Sequence, residues 1–370
     1  MNRLIYVAMS LLFTYSLVLN SVAPLLNYFR SYFELSVASS SLIPVFLLSG
    51  TVLSNIFVGF IFNKLGLRRT LLVGLFLLVT GTSSAAFSNS IALLILGMIL
   101  IGFSNGFGFT GATMLLLTEG TKSSNFGLFH GAYGLGGIAA PLLIELFNQL
   151  GTGFKGLYLT YTFLAVSLTL MVGKATANAL PIEETSVNNA ERKEKLKLTG
   201  ESRKVFITYL IMLIFYSSAE IGTITWAGTY SKPGVVPTTL GYTVFWFLFT
   251  VTRFALPIIE KTFRNIVLLN GTLLIIFLLL FAKTGNITLF FTTGAFFGPL
   301  FPYIQSRAIR KISEELRPVF NGLTYSLTSL GGNLTVFLMG TLIEKFGILS
   351  YMLPTSLILT LVLSHFLAIK

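Results

Sequence analysis

Cysteine and aspartate are both missing from this 370-residue chain, histidine occurs only twice, and charged residues make up 10% of it. Without cysteine there are no disulfides, thiolate metal sites or cysteine nucleophiles, and the redox compartment stays open. His130 and His365 sit on separate apolar stretches with no cluster of acids beside either, which argues against a metal site. No nucleophile has a base beside it and no phosphate-cradling glycine loop occurs, so neither an enzyme nor a cofactor is expected. The shortage of charge excludes most. Soluble domains carry roughly 25% charged residues, whereas here 54% of residues are hydrophobic and the mean hydropathy is +0.83. The chain reads as a polytopic membrane protein. Lipid offers the backbone no hydrogen-bond partner, so the spans must be helices or a closed barrel. The apolar runs are too long and too uniform for barrel strands. An all-α membrane protein is expected.

A net charge of +12 would suggest nucleic acid in a soluble protein. In a membrane protein it is read loop by loop, because lysine and arginine accumulate on the cytoplasmic side. Charge-free windows bounded by glycine, proline or charged residues give twelve spans: 4–29, 38–62, 70–88, 91–117, 126–149, 156–176, 205–229, 240–260, 265–282, 286–309, 318–343 and 349–369. The run 4–29 is too long for a signal-peptide core and is read as the first span. Placing both termini and the even-to-odd loops on one side collects 19 of the 25 basic residues there, against 5 on the other side, with Arg253 inside the membrane. Both termini are therefore expected in the cytoplasm, with the protein in the cytoplasmic membrane and its partners limited to lipid and a small solute.

The long polar stretch 177–204, with its ERKEKLKLTGESRK segment, separates two six-helix halves, 1–176 and 205–370. The halves repeat one another. Gly127-Leu128 and Leu135-Gly136-Gly137 recur at Gly322-Leu323 and Leu330-Gly331-Gly332, each 195 residues later, and Arg69 falls on Arg264 in the same register. Parallel repeats joined by a basic linker are a transporter architecture, with the solute site near the midplane between them.

Glu220 lies in a stretch, Val205 to Ser231, that holds no other charge. A carboxylate in hydrocarbon costs at least ~2.5 kcal/mol, which makes it a functional candidate, with Arg253 in the next span as its counter-charge. Tyr216 and Glu220, four residues apart, share one helix face, as do Trp246 and Arg253, seven apart. An aromatic face beside hydrogen-bonding charges suits a sugar. The alternative is a structural Glu220–Arg253 salt bridge with lipid-facing aromatics. Asn321, Tyr325 and Thr328 share a face of span eleven that would line the cavity from the second half. Glu145 falls near the outer mouth of span five and His365 near an interface. The glycine series Gly102, Gly106, Gly108 and Gly131, Gly134, Gly136, Gly137 reads as helix packing.

The turn after span two, Gly59, Asn63, Lys64, Gly66, Arg68 and Arg69, resembles the loop signature of the major facilitator superfamily. Asn63 stands where that family usually has aspartate, so a charged gate latch is not expected there. Span seven, with Tyr216, Glu220, Trp226 and Tyr230, resembles the fucose-permease-like transporters, and so do Trp246 and Arg253 in span eight. Gly298-Pro299 with Phe301-Pro302, and Leu135-Gly136-Gly137 with Pro141, fit the same group. The resemblance implies two pseudo-symmetric six-helix bundles rocking about a central cavity, a monosaccharide cargo and proton symport. It also implies a histidine at or near His130, for which a helix-packing hydrogen bond is an equal reading. One departure concerns coupling: spans one and four hold no ionisable residue, leaving Asn20, Asn105, Thr110 and Thr113 as their polar candidates. A proton or other ion would then be carried by Glu220. The expected molecule is a monomeric secondary transporter of a small polar solute. An exporter of amphipathic compounds and a non-transporting receptor or scaffold are the alternatives.

Overall fold

The computed structural model describes residues 3–117, 123–176, 200–230, 237–312 and 316–369. They are helical almost throughout: α1 (Arg3–Asn20), α2 (Val22–Tyr32), α3 (Val37–Ser40), α4 (Leu42–Ala86), α5 (Ile91–Leu117), α6 (Ser123–Gln149), α7 (Gly153–Ala175), α8 (Gly200–Tyr230), α9 (Thr238–Phe254), α10 (Leu256–Thr262), α11 (Ile266–Thr284), α12 (Ile287–Lys311), α13 (Arg317–Phe346) and α14 (Met352–Ile369). Nine stretches among the described residues are long and apolar enough to cross a membrane, or ten counting one bent pair. One of the nine, 322–366, holds two helices separated by a 3-10 turn at Gly347–Tyr351, and α6 adds another of 27 residues. Among the described residues the crossings thus number twelve, arranged as two six-helix bundles.

Breaks in the helices have local causes. The 45-residue α4 contains two crossings, separated at Gly66, whose φ of 71° and ψ of 170° only glycine adopts comfortably. The first crossing breaks at Ser21, where α1 ends and α2 begins. Pro24 has no N–H, so the carbonyl of Asn20 loses its helical donor there. The eighth crossing bends by 64° between α9 and α10, just before Pro257.

The two halves pack alike. In the first, α1 lies against α5, α6 and α7; in the second, α8 lies against α12, α13 and α14. Glycine sets how closely the neighbours approach. A Cβ on Gly102 would fall 1.9 Å from the carbonyl oxygen of Leu47, so α4 and α5 touch backbone to backbone. Between the halves, α6 meets α9 and α4 meets α13, two seams related by the repeat, while α2 meets α8.

An even number of crossings puts both termini at one end of the bundle. The hydrogen bonds that join the halves among the described residues all lie in the opposite, distal half. Asn27 Nδ2 donates to the Gly228 carbonyl at 2.8 Å and Thr239 Oγ1 to Glu145 at 2.9 Å. The Ala38 amide donates to Glu344 at 2.8 Å, and Asn333 Nδ2 to Ser49 Oγ at 2.8 Å. Glu145, expected at the mouth of span five, is thus part of the distal closure.

Gly59 and Gly66 belong to one sequence motif but face different demands. At neither position would an added Cβ meet an atom within 4 Å, and only Gly66 has a positive φ. Gly66→Ala is expected to destabilise by about 1–3 kcal/mol from backbone strain alone. Gly59→Ala is expected to stabilise by up to about 1 kcal/mol through helix propensity. Thermal unfolding of the two purified variants checks this, and equal midpoints would refute the assigned turn.

Candidate functional site

Arg253 is held by a backbone fault in the neighbouring helix. Four residues after Gly298 comes Pro302, inside α12, and a proline there cannot donate to the Gly298 carbonyl. Arg253, in the last turn of α9, supplies the missing donor: its Nε lies 3.1 Å from that oxygen. Gly298 makes the approach feasible, since a Cβ on it would strike Thr252 Oγ1 at 2.2 Å and the Phe249 carbonyl at 2.5 Å. The guanidinium lies over the Phe249 ring, 4.0 Å from its centroid.

Tyr216 is locked to the same helix. Its hydroxyl donates to the Phe297 carbonyl at 2.9 Å, and its ring packs against Phe297 and Phe301 at 5.9 and 5.7 Å. Glu220, one turn further along α8, retains partial exposure. The Tyr216 hydroxyl stands beside both the Glu220 carboxylate and the Arg253 guanidinium. No direct ion pair joins the two charges. The expected counter-charge is therefore near but not in contact, and Tyr216 stands beside both.

The first half brings polar groups to the same place. Asn20 Nδ2 donates to Ser16 Oγ at 2.9 Å, and Ser16 Oγ donates to the Tyr133 carbonyl at 2.5 Å, tying α1 to α6. The Tyr133 hydroxyl interacts with Asn20 and lies within the electrostatic reach of both Glu220 and Arg253. Phe109 of α5 packs edge-on against Tyr133 at 5.6 Å. Asn105, also on α5, has an enclosed amide oxygen with no hydrogen-bond partner. A carboxylate and a guanidinium of the second half thus stand near the Tyr133 phenol of the first, with the Asn20 amide beside it. Such a site can hydrogen-bond a polar solute on several sides while stacking against an apolar face of it.

The remaining sequence candidates fall elsewhere. Trp226 does not line this site: it has no exposed surface, and its indole N–H donates to the Val336 carbonyl at 3.1 Å. It fills the α8–α13 contact, where Gly340 leaves room for it. Trp246 lies on the α6–α9 seam, against the backbone of Gly137 and the rings of Phe245 and Phe249, and its indole N–H has no described partner. Tyr325 is half exposed, with its ring 6.4 Å from that of Phe301. Lys64, Arg68 and Arg69 are exposed and make no ion pair or hydrogen bond to a described residue. The side chains of Asn63, His130, Asn321 and Tyr230 lie outside the described residues. Among the glycines read as packing positions, Gly108 lies under Tyr15 and Gly136 against the Phe13 carbonyl, while Gly131 and Gly134 receive Phe254 and Thr250 across the seam.

Tyr133, Ser16 and the distal latch Glu344 do not stand out in the sequence. The spacing Asn20 to Pro24 is a signal that marks the first of these clusters, as Gly298 to Pro302 marks Arg253.

Residues 8–336 match the family model described as Major Facilitator Superfamily. Among solved structures the chain is similar to a POT family transporter in complex with a thioalcohol-conjugated peptide, at 13% identity, with 99% of this chain and 94% of that one covered and a TM-score of 0.79. A POT family transporter in complex with 5-aminolevulinic acid gives 13% identity, coverages of 99% and 94%, and a TM-score of 0.78. The nucleoside transporter NupG, in a mutant form, gives 14% identity over 100% of both chains and a TM-score of 0.79. At such identities the likeness is one of fold. No curated protein matches the sequence.

If Arg253 answers the fault made by Pro302, the two positions are energetically coupled. Arg253→Met alone leaves the Gly298 carbonyl unsatisfied; with Pro302→Ala, the restored N–H satisfies it. The loss caused by Arg253→Met is expected to be smaller by about 1 kcal/mol in the Pro302→Ala background. A double-mutant cycle on thermal stability measures this, and strict additivity would contradict the assignment.

Proposed function

The chain belongs to the major facilitator superfamily, and we propose that this secondary transporter carries a monosaccharide, or another polar solute of that size, by alternating access. The observation that carries the reading is that Glu220 and Arg253 flank Tyr216 without an ion pair between them, opposite Asn20 and Tyr133. A sealed structural salt bridge would have left neither charge free. Here each keeps hydrogen-bonding capacity for hydroxyl groups, while Phe249 and Phe109 supply flat apolar walls for a sugar ring.

The halves 1–176 and 205–370, joined by 177–204, move as two bodies in this scheme. With the termini in the cytoplasm, the distal closure faces outward and the solute reaches the site from the cytoplasmic side in this state. Switching opens the contacts of Asn27, Ala38, Thr239 and Asn333 and brings the terminal halves of α4 and α13 together. Solute drives the change only by its differential affinity for the two arrangements. Glu220 is the in-span carboxylate available to carry a proton with the solute, in the manner of the fucose-permease-like group. The protein works as a monomer in the cytoplasmic membrane.

One observation favours a second reading. The terminal N–H groups of Arg253 form the planar fork that matches a carboxylate, so a carboxylated solute would fit the same site. One POT family neighbour was solved with such a molecule, 5-aminolevulinic acid.

The test is reconstitution in liposomes with a panel of hexoses and deoxyhexoses, and small carboxylates beside them. Glu220→Gln is expected to abolish uptake against a gradient while solute exchange persists. Its affinity for the sugar should fall about tenfold to a hundredfold, the worth of one charge-assisted hydrogen bond. Binding of carboxylates alone, lost in Arg253→Gln, would replace the sugar by the second reading. Affinity for neither, with a response to lipophilic cations, would make the protein an exporter of amphiphiles.

A further inference from the structure

A second cavity lies outside the transport site, at the end of the second half that carries the chain termini. It is open to the surface, has a volume of about 500 Å³ and is lined by Glu260, Phe263, Arg264, Tyr303, Arg307, Arg310 and Lys311. That volume falls in the range of small-ligand sites, roughly 300–1,000 Å³. Four cations face one carboxylate, and no ion pair joins Glu260 to any of them among the described residues. The walls come from the end of α10, the turn that follows it and the last turns of α12.

The cations are arranged rather than merely crowded. Arg307 is half-buried, with its guanidinium 4.9 Å from the centroid of the nearly buried Tyr303 ring. Arg310 is turned toward Ser306, whose hydroxyl accepts from its Nη2 at 3.2 Å. Lys311 reaches over Tyr209 of α8 at 5.7 Å. Aromatic faces and a serine therefore hold three of the cations, and among the described residues none is ion-paired.

Cytoplasmic loops of any membrane protein attract basic residues, but the repeat separates that general bias from this cluster. The turn inside α4 has the basic residue equivalent to Arg264, namely Arg69. The helix equivalent to α12 is α5, and its last turn has no basic residue, whereas the last turn of α12 has Arg310 and Lys311. The fold stands without these charges in one half, so their presence in the other needs a separate reason.

We propose that this cavity binds a phosphate-bearing anion of headgroup size, held by Arg264, Arg307, Arg310 and Lys311. Concentrated guanidinium groups match phosphate oxygens bidentately, and basic pockets at the cytoplasmic ends of helices suit anionic lipid headgroups. A free phosphate compound offers the same chemistry from the aqueous side.

The experiment uses the full-length protein in neutral detergent and reads its thermal midpoint against three probes: short-chain phosphatidylglycerol, short-chain phosphatidylcholine and inorganic phosphate. Binding raises the midpoint by mass action. Phosphatidylglycerol is expected to raise it and phosphatidylcholine of the same chain length is not. The affinity should fall about fivefold for each cation removed, in Arg264→Gln and Arg310→Gln, both exposed positions where folding is not at stake. Glu260→Gln should strengthen binding, and Arg68→Gln/Arg69→Gln, in the other half, should leave it unchanged. A shift with inorganic phosphate that follows the same variants would assign the site to a soluble phosphate compound; a shift with phosphatidylglycerol alone assigns it to lipid. Equal response to both lipids, or a response lost in Arg68→Gln/Arg69→Gln and kept in the cavity variants, overturns the proposal.

Discussion

Hydrocarbon gives a backbone carbonyl no partner, so every break in a spanning helix must be answered from within the protein. In this chain the answer to one such break builds half of the proposed solute site. Pro302 strips the Gly298 carbonyl of its donor, and Arg253 Nε takes up the vacancy at 3.1 Å. That anchor fixes the guanidinium in the membrane interior without using Glu220 to neutralise it. Tyr216, bonded to the adjacent Phe297 carbonyl, then stands beside both charges. On the facing half, Pro24 frees the Asn20 carbonyl where α1 breaks, and the side chain of Asn20 joins Ser16 and Tyr133. Helix faults and candidate site groups coincide because one creates the opening for the other.

The seams between the halves follow a different logic. Along α6, the faces of Gly131, Gly134 and Gly137 accept Phe254, Thr250 and Trp246 of α9, giving close apolar contact with few directional bonds. Contacts of that kind can separate and re-form with few hydrogen bonds to break. Directional bonds are gathered at the distal end, where Glu344 accepts the Ala38 amide and Asn27 reaches the Gly228 carbonyl. These bonds lie near water, which can replace them when the halves part, so the distal closure is reversible at modest cost.

Much of this is legible in the chain alone. Twelve crossings follow from hydropathy, and the duplication from Gly127-Leu128 and Gly322-Leu323. The turn at Gly66 is marked by its motif, and Glu220, Tyr216 and Arg253 by charge and helical spacing; the structure brings these three together. Trp226 is not legible, because an indole near a buried charge looks the same in sequence whether it faces a cavity or a helix. Only the Val336 carbonyl and the room left by Gly340 show that it faces a helix. Tyr133 and Glu344 go unmarked because their partners lie on other helices, more than a hundred residues away, and local spacing cannot report such contacts. The basic cavity is hidden for a related reason: positive-inside bias predicts cations there without predicting their convergence.

The central claim is that the halves, closed at the distal end in this state, exchange that closure for one at the terminal end when solute is carried. Because the chain has no cysteine, pairs of introduced cysteines can bear spin labels without background. One pair at the exposed positions Glu34 and Lys345 reports the distal gap, and another at Lys64 and Gly322 the terminal gap. Pulsed electron-electron distance measurements in lipid, with and without a transported solute, should show the distal distance lengthening as the terminal distance shortens. Distances that stay fixed with solute bound, or that change in the same direction, would contradict a rocking transporter built about this site.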